Sequence, residues 1–587
     1  MHNLMKLQNG VKMDIFEEEP ADVYADCEIL DCDMPAAHKL SGTAGHSHDM
    51  HPCLYCDTDI TKVNTREGFD YSWTASDNYH LLRQSYYSRD ANPLRQKAIL
   101  DDHGVCWVIL NLIAGWFPSK KTALDFMHCI FLGIIAHLFM RVLFEGYMFS
   151  GVGGRNSPKQ CFEALINLVK WPTHITHLPK NLGENQSLKK ADEWRRLLTI
   201  TPVLLWWSWK DEHNSIPDTA PPVPPNVQVP QFSRRCRHIY DAVLLLCVGV
   251  HLLATQSISM SQAQLGQSFL SQYCLRCLNL KIHLMINHHA SMHIADMIKL
   301  FGPVYSWWLF AFERFNGMLE RVNHNGHDDY EYALSLPEDA HDMERAVLNE
   351  IINTQAQQRG SMMMEIAIYR SEAAHDNVRL PLRQAKFINL CTFGPEGVLY
   401  PCLIAYCRLI WPDLTIVNDF SPDAGIPFFA SKVARALTYI CKDGICYGCT
   451  TNRRTQSDAY AFISYDQSWF PVEITALLVV GVSNKVPHVC ALVRRFKSDE
   501  NIPLMPWSLF EHTLGIHTSY ANEFLPHEVI PVSRIVCPLA LIPVHSNIIK
   551  KNLWVSVSFD HVQLSTNRME PEEYFDDDDG DNVGGGL

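Results

Sequence analysis

CDMPAAHKLSGTAGHSHDMHPCLYCD, residues 32–57, sets out most of the chemistry in this chain. It places Asp33 just after the run ADVYADCEIL, then a Gly-Thr-Ala-Gly hinge, four histidines and the pair Cys53-x-x-Cys56. Two cysteines at this spacing supply half of a tetrahedral zinc site. The other half is offered by KIHLMINHHASMHIADMIKLFG, residues 281–302, where His289 and His293 stand four apart. Residues at i and i+4 share one face of a helix, so both imidazoles can reach one ion. Ordinary zinc fingers close within about 15 residues; here tertiary folding has to bring the halves together. The plain alternative is a reduced core pair of cysteines and two helix-surface histidines. Cys274-x-x-Cys277, in an apolar helical stretch, and Cys446-x-x-Cys449, at a strand turn, are rival pairs that packing accounts for.

The chain has 587 residues, 47 % of them hydrophobic and 19 % charged. That is a globular composition and too long for one core, pointing to about two to four domains. The net charge is −15, and residues 570–581 hold eight acids and no base, which takes the remainder to −7. A body of that sign is not a general polyanion binder, so nucleic-acid contact needs a local basic face. The acidic end, 561–587, reads as a solvated, disordered tail. The 19 cysteines are scattered and follow a polar, acidic start, so they read as mostly reduced, with some on metal. Two apolar stretches, 129–149 and 241–256, read as buried core helices: the first carries His137, Arg141 and Glu145, and the second is short of the roughly 20 residues of a membrane span.

Periodicity predicts a short strand over 21–33 and a loop over 34–60. It predicts helices over 76–100, from Pro118 through PSKKTALDFMHCIFLGIIAHLFMRVLFEGY, and over 186–210, 234–256, 259–300 and 304–324. The proline-rich IPDTAPPVPPNVQVPQ is an exposed loop. Near Gly394 the composition turns β-branched and turn-rich, as in DAYAFISYDQSWFPVEITALLVVGV, which predicts a small β-barrel beyond a boundary at about 375–395.

Two further acids stand out. Glu313 lies among Trp and Phe in FGPVYSWWLFAFERFNGMLE, with pairing to Arg314 or Arg321 as the plain reading. Asp125 lies in TALDFMHCIFLG, where Thr122-x-x-Asp125 reads as a capping box and His128 follows one turn on.

Taken in order, Asp33–Gly42 (D-x-P-A-x-x-K-x-x-G) with Cys53–Cys56, Asp125–Gly133 (D-x-M-H-x-x-x-L-G), Asn287–His293 (N-x-H-x-x-x-H), and Gly302-Pro303 with Phe310–Gly317 resemble the blocks of CACTA (En/Spm) DNA transposases of plants and fungi. The resemblance covers roughly residues 25–330. It implies a partial RNase H-like catalytic core over 1–60 with the zinc half-site, a mainly helical insertion over 61–280, and the His-x3-His and terminal-acid helices over 281–345; with a helical linker over 346–394 and a β region over 395–560 that itself resembles an SH3- or BAH-like barrel, the expected class is α/β plus β. It also implies nuclear location, structural Zn²⁺ on Cys53, Cys56, His289 and His293, and two Mg²⁺ or Mn²⁺ held by acids for cutting and joining DNA at transposon ends. Glu313 matches the family's terminal acid and Asp33 the acid closing its fourth core strand. Asp125 and His128 match its D-x-x-H element.

One departure bears on activity. The family's first catalytic Asp lies on a strand well upstream, and three strands with a helix take roughly 50–60 residues. Asp14, Asp22 and Asp26 stand too close to Asp33 to serve, so the expectation is a chain that lacks this acid and does not cleave. An alternative alignment takes Asp33 as the first acid and Asp125 as the second. The competing functions are a transposase, a transposon-derived DNA- or chromatin-binding protein without catalysis, and a zinc-stabilised interaction protein whose barrel meets a protein partner.

Overall fold

The computed structural model describes residues 2–13, 21–151, 157–175, 177–179, 182, 190–310 and 312–313, and then 378–559 with gaps at 381–385, 390–398, 418–424, 428–432, 443–444, 467 and 482–487. The expected acidic tail, most of the 346–394 linker and the stretch after Glu313 lie outside these residues.

The N-terminal part is helical. Long apolar runs build Ala191–Trp209, Cys236–Leu253 and Met260–Asn279, which pack on one another. Ser259 starts the last of these in a capping box with Gln262, the arrangement that satisfies two otherwise unpaired N–H groups. Against them lies a helix wound in the wider π register over Met127–Ile135 and Leu138–Phe144. Met127–Phe144 and Cys236–Leu253 are long and apolar enough to cross a membrane, but 67 % and 83 % of these spans are buried inside the protein.

The helix expected from Pro118 is broken. Pro118–Lys121 is one turn, residues 122–125 are extended, and the long helix starts afresh after Asp125. The cause is pairing: Leu30 and Thr122 form a parallel bridge, with Leu30 N–H donating to Lys121 O and Ala123 N–H to Leu30 O. The strand expected over 21–33 is likewise confined to Ala21–Val23, paired with Val11–Met13, and that single bridge. Among the described residues up to 313 there are no other strands. Of the helix expected over 304–324, the described residues show a tight turn at Val304–Ser306 and helical residues at 310 and 312–313, and the remainder lies outside them.

The C-terminal part is an antiparallel sheet in the order Ile516–Tyr520, Lys551–Ser558, Ile535–Ser546, Tyr460–Tyr465, Ser468–Val480, His488–Arg495, Glu528–Pro531. Val433–Leu437 pairs with the far end of Ser468–Val480, and Lys386–Asn389 with Val433–Leu437. The two end strands of the order do not pair with each other among the described residues. One face of this sheet, with Ile516, Ala540, Ile542, Val544, Leu553, Val555 and Val557, belongs to the same buried core as the helices. Lys170 and Leu541 exchange backbone hydrogen bonds, Asp458 accepts from Thr173 N–H and Oγ1, and Trp206 meets Trp507 edge-on.

Candidate metal centre and acid cluster

Cys53 and Cys56 sit on a loop held at several points. Asp57 N–H donates to Thr74 O, Ser76 N–H to Tyr55 O and Ser76 Oγ to Leu54 O. His289 lies in the helix Ile286–Ala290, and His293 ends the tight turn Ser291–His293 that follows. A 3₁₀ turn interrupts the predicted continuous helix, yet both rings point to one place. Asn64 fixes this segment to the loop side by pairing with both N–H and O of Leu284.

The four side chains converge. Cys56 Sγ is 3.2 Å from His289 Nε2, Cys53 Sγ is 3.6 Å from His293 Nε2, and all four donor atoms lie within 4.8 Å of one another. Ligands on a tetrahedral zinc with bonds of about 2.0–2.3 Å stand about 3.3–3.8 Å apart, so the set fits the ion. All four residues are buried. His289 Nδ1 pairs with Gly68 O at 2.8 Å, the outer contact that leaves Nε2 free for metal. Trp73 stands edge-on to both imidazoles and Tyr55 tilts against His293. A hydrogen bond from Cys53, then those of His289 and His293, holds the Cys56 thiol well below its usual range, while burial pushes Cys53 up. Zinc binding to this set would release the thiol protons, since the ligands are thiolates.

Among the described residues the rival pairs do not assemble such a set. Cys274 and Cys277 are buried in the core, and Cys449 is buried beside Leu437 and Thr438.

Asp125 lies next to this centre, lining one small cavity with Cys53 and Tyr55. Asp125 is buried and accepts four hydrogen bonds: Met127 N–H at 3.3 Å and Leu309 N–H at 3.0 Å on Oδ1, and His128 N–H at 2.8 Å and His128 Nδ1 at 2.5 Å on Oδ2. The expected capping box is not formed, since Thr122 Oγ1 has no hydrogen-bond partner and Asp125 itself caps the helix. Leu309 O accepts from Glu313 N–H, so Asp125 also anchors the turn that carries Glu313. His128 Nε2 lies 3.9 Å from Glu313 Oε1. The Asp125 bond, against burial, raises the His128 pKa, and Glu313 and Asp33 add to it.

Asp33 is exposed and caps the helix Met34–Ser41 by accepting from Ala36 N–H, with Gly42 closing that helix at positive φ. The residue the sequence reading missed is Asp31. Its two oxygens are buried and have no hydrogen-bond partner. Burial first, then the Asp125 carboxylate, pushes its pKa up to about 8. The Leu30–Thr122 bridge puts Asp31 beside Asp125; no spacing rule in DCD distinguishes one acid from the other.

The donor sets differ in what they can hold. Four buried S and N donors suit zinc. Mg²⁺ or Mn²⁺ take oxygen ligands. Asp125 is filled with N–H donors, and among the described residues the Cys53, Cys56, His289 and His293 set is the one group of three or more such side chains close enough to share an ion. No protein-family model matches the chain, and no curated protein matches it.

Proposed function

We propose that this chain is a CACTA-type DNA transposase or a protein derived from one, nuclear and zinc-organised, in which Asp31 stands in for the upstream acid and, with Asp33 and Glu313, would hold divalent cations for strand cleavage and transfer. The observation that carries the reading is the convergence of Cys53 and Cys56 with His289 and His293, beside the Asp125–His128–Glu313 contact. The order of these blocks is the one that resembles the family.

Within this reading each residue has a task. The zinc ligands pin the loop after Asp33 to the segment before Glu313. Asp125 orients His128 and caps the Glu313 turn, acting as a positioning residue. His128, between Asp125 and Glu313, can donate to a phosphate oxygen from Nε2. Bound by the free carboxylates, Mg²⁺ or Mn²⁺ would supply the charge that activates water and then a 3′-hydroxyl for attack on a phosphodiester. The RNase H-like core and the SH3- or BAH-like barrel are part of the same proposal.

The test is Mn²⁺-dependent nicking of supercoiled DNA by the zinc-loaded chain, against Glu313→Gln and Asp31→Asn. Nicking lost in Glu313→Gln at unchanged zinc content supports the transposase. The acidic body and the filled oxygens of Asp125 favour a second reading, a transposon-derived DNA- or chromatin-binding protein without catalysis. DNA binding without Glu313-dependent nicking would select it. Neither binding nor nicking would leave a zinc-stabilised interaction protein.

A further inference from the structure

The sheet part carries a feature that zinc and acids do not use. Ile440–Lys442 and Ile445–Tyr447 form an antiparallel hairpin, in the register Ile440↔Tyr447, Cys441↔Cys446, Lys442↔Ile445. The two intervening residues are Asp443-Gly444, the dipeptide favoured in two-residue hairpin connections. In such a hairpin the pair next to the turn exchanges hydrogen bonds, so Cys441 and Cys446 occupy the following, non-hydrogen-bonded position. There the Cα atoms stand about 4.5 Å apart and the side chains are closest, within the span of about 4.4–6.8 Å that a disulfide bridges. The two sulfurs are 2.7 Å apart, against about 2.05 Å for the bond itself.

Exposure singles out the same pair. Among the described residues Cys446 is the one cysteine that is exposed, and Cys441 is half-buried. Cys449, its neighbour in the C-x-x-C spacing, is buried and turned to the Leu437 and Thr438 carbonyls and to Thr451. Lys442 holds the hairpin in place by donating from Nζ to Ser533 O and Ile535 O. The thiols therefore face each other on an anchored backbone, with one open to a small reagent.

We propose that Cys441 and Cys446 are a redox-modification site, forming a reversible cross-strand disulfide by exchange with low-molecular-weight disulfides of the glutathione class. The Cys446 thiolate attacks one sulfur of the small disulfide, whose S–S bond breaks and releases one thiol. The Cys441 thiolate then attacks the Cys446 sulfur, the mixed disulfide breaks, and the second thiol leaves. The two protons of the protein thiols end on the released thiols. The protein pair loses two electrons and the small disulfide gains them. An excess of small thiol reverses both steps. The product staples the three-stranded sheet of Val378–Arg379, Ile440–Lys442 and Ile445–Tyr447.

The experiment equilibrates the full-length, zinc-loaded protein with glutathione buffers of increasing disulfide content, traps free thiols by alkylation, and digests with trypsin without reduction. Cleavage after Lys442 separates the two cysteines, so peptides 436–442 and 443–453 remain joined only through a disulfide. The expected result is a linked species that is half-formed at a glutathione ratio at least tenfold more reducing than for a free 436–453 peptide. It persists in Cys449→Ser and disappears in Cys446→Ser. Two results overturn the proposal: Cys441 and Cys446 staying alkylatable or taking up glutathione singly in disulfide-rich buffer, or a link that Cys449→Ser abolishes. Circular dichroism and zinc content of each variant establish that the fold is kept.

Discussion

At Cys56 the sulfur faces His289 Nε2 at 3.2 Å, and Cys53 and His293 complete the set. His293→Ala removes one of four ligands from a buried site. It should abolish retention of about one zinc per chain and lower stability by several kcal/mol, because structural zinc contributes folding energy; metal analysis with urea unfolding reads both. Asp31 presents the opposite situation, a carboxylate with buried oxygens and no donor. Asp31→Asn should weaken Mn²⁺ binding by about tenfold or more while zinc content stays at the wild-type level. Titration calorimetry with an unchanged Mn²⁺ affinity would remove Asp31 from the cation site. The two residues also mark how far the sequence could be read. Cys and His at fixed spacings declare a ligand set even across a long gap, since few other uses demand both. Two acids separated by one residue declare nothing about which one faces inward, because that is decided by the Leu30–Thr122 bridge.

Among the elements, the contact between the Met127–Ile135 helix and the Ile286–Ala290 helix is tightly constrained. A methyl group on Gly133 would stand 2.4 Å from Asn287 Nδ2, and Cys129 Sγ reaches Asn287 O at 3.3 Å. Gly133→Ala should cost about 1–3 kcal/mol through overpacking and, by shifting the segment that carries His289, speed zinc loss to a chelator. Equal zinc release from variant and wild type would show that the two helices move independently. The long apolar helices Ala191–Trp209 and Cys236–Leu253 were legible from period alone because most of their residues are buried, and Met260–Asn279 because Ser259 caps its start. The break at 122–125 was not, since PSKKTALDF is a good helix sequence and the competing partner lies ninety residues upstream at Leu30. The same holds for the β part: alternation exposed the strands, but the order in which they pair is set by contacts that no local pattern records.

For the molecule as a whole, the shared core of helices and sheet predicts one cooperative transition. Tryptophan fluorescence and far-ultraviolet circular dichroism should change together on urea unfolding; two separated transitions would mean that the interface through Leu541, Asp458 and Trp507 contributes little. Acid should weaken the whole. Burial holds His38 and His251 down to about 4, so both stay neutral in the fold while the unfolded chain protonates near 6.5. Their stabilisation is complete above about 6.5 and is lost as pH falls toward about 4, at up to about 3 kcal/mol for each. Urea midpoints between pH 7 and 4.5 should fall, and His38→Asn should flatten the slope.

Cys53 and His293 are 240 residues apart. During synthesis, at about 5–20 residues per second, Cys53 leaves the ribosome on the order of 10–50 s before its last partner exists. For that interval the Cys53 and Cys56 thiols are bare, open to oxidation and to any stray metal. A message cut short anywhere in between yields a polypeptide that can never close the site, so ribosome stalling within this interval should leave products that quality control removes as unfolded.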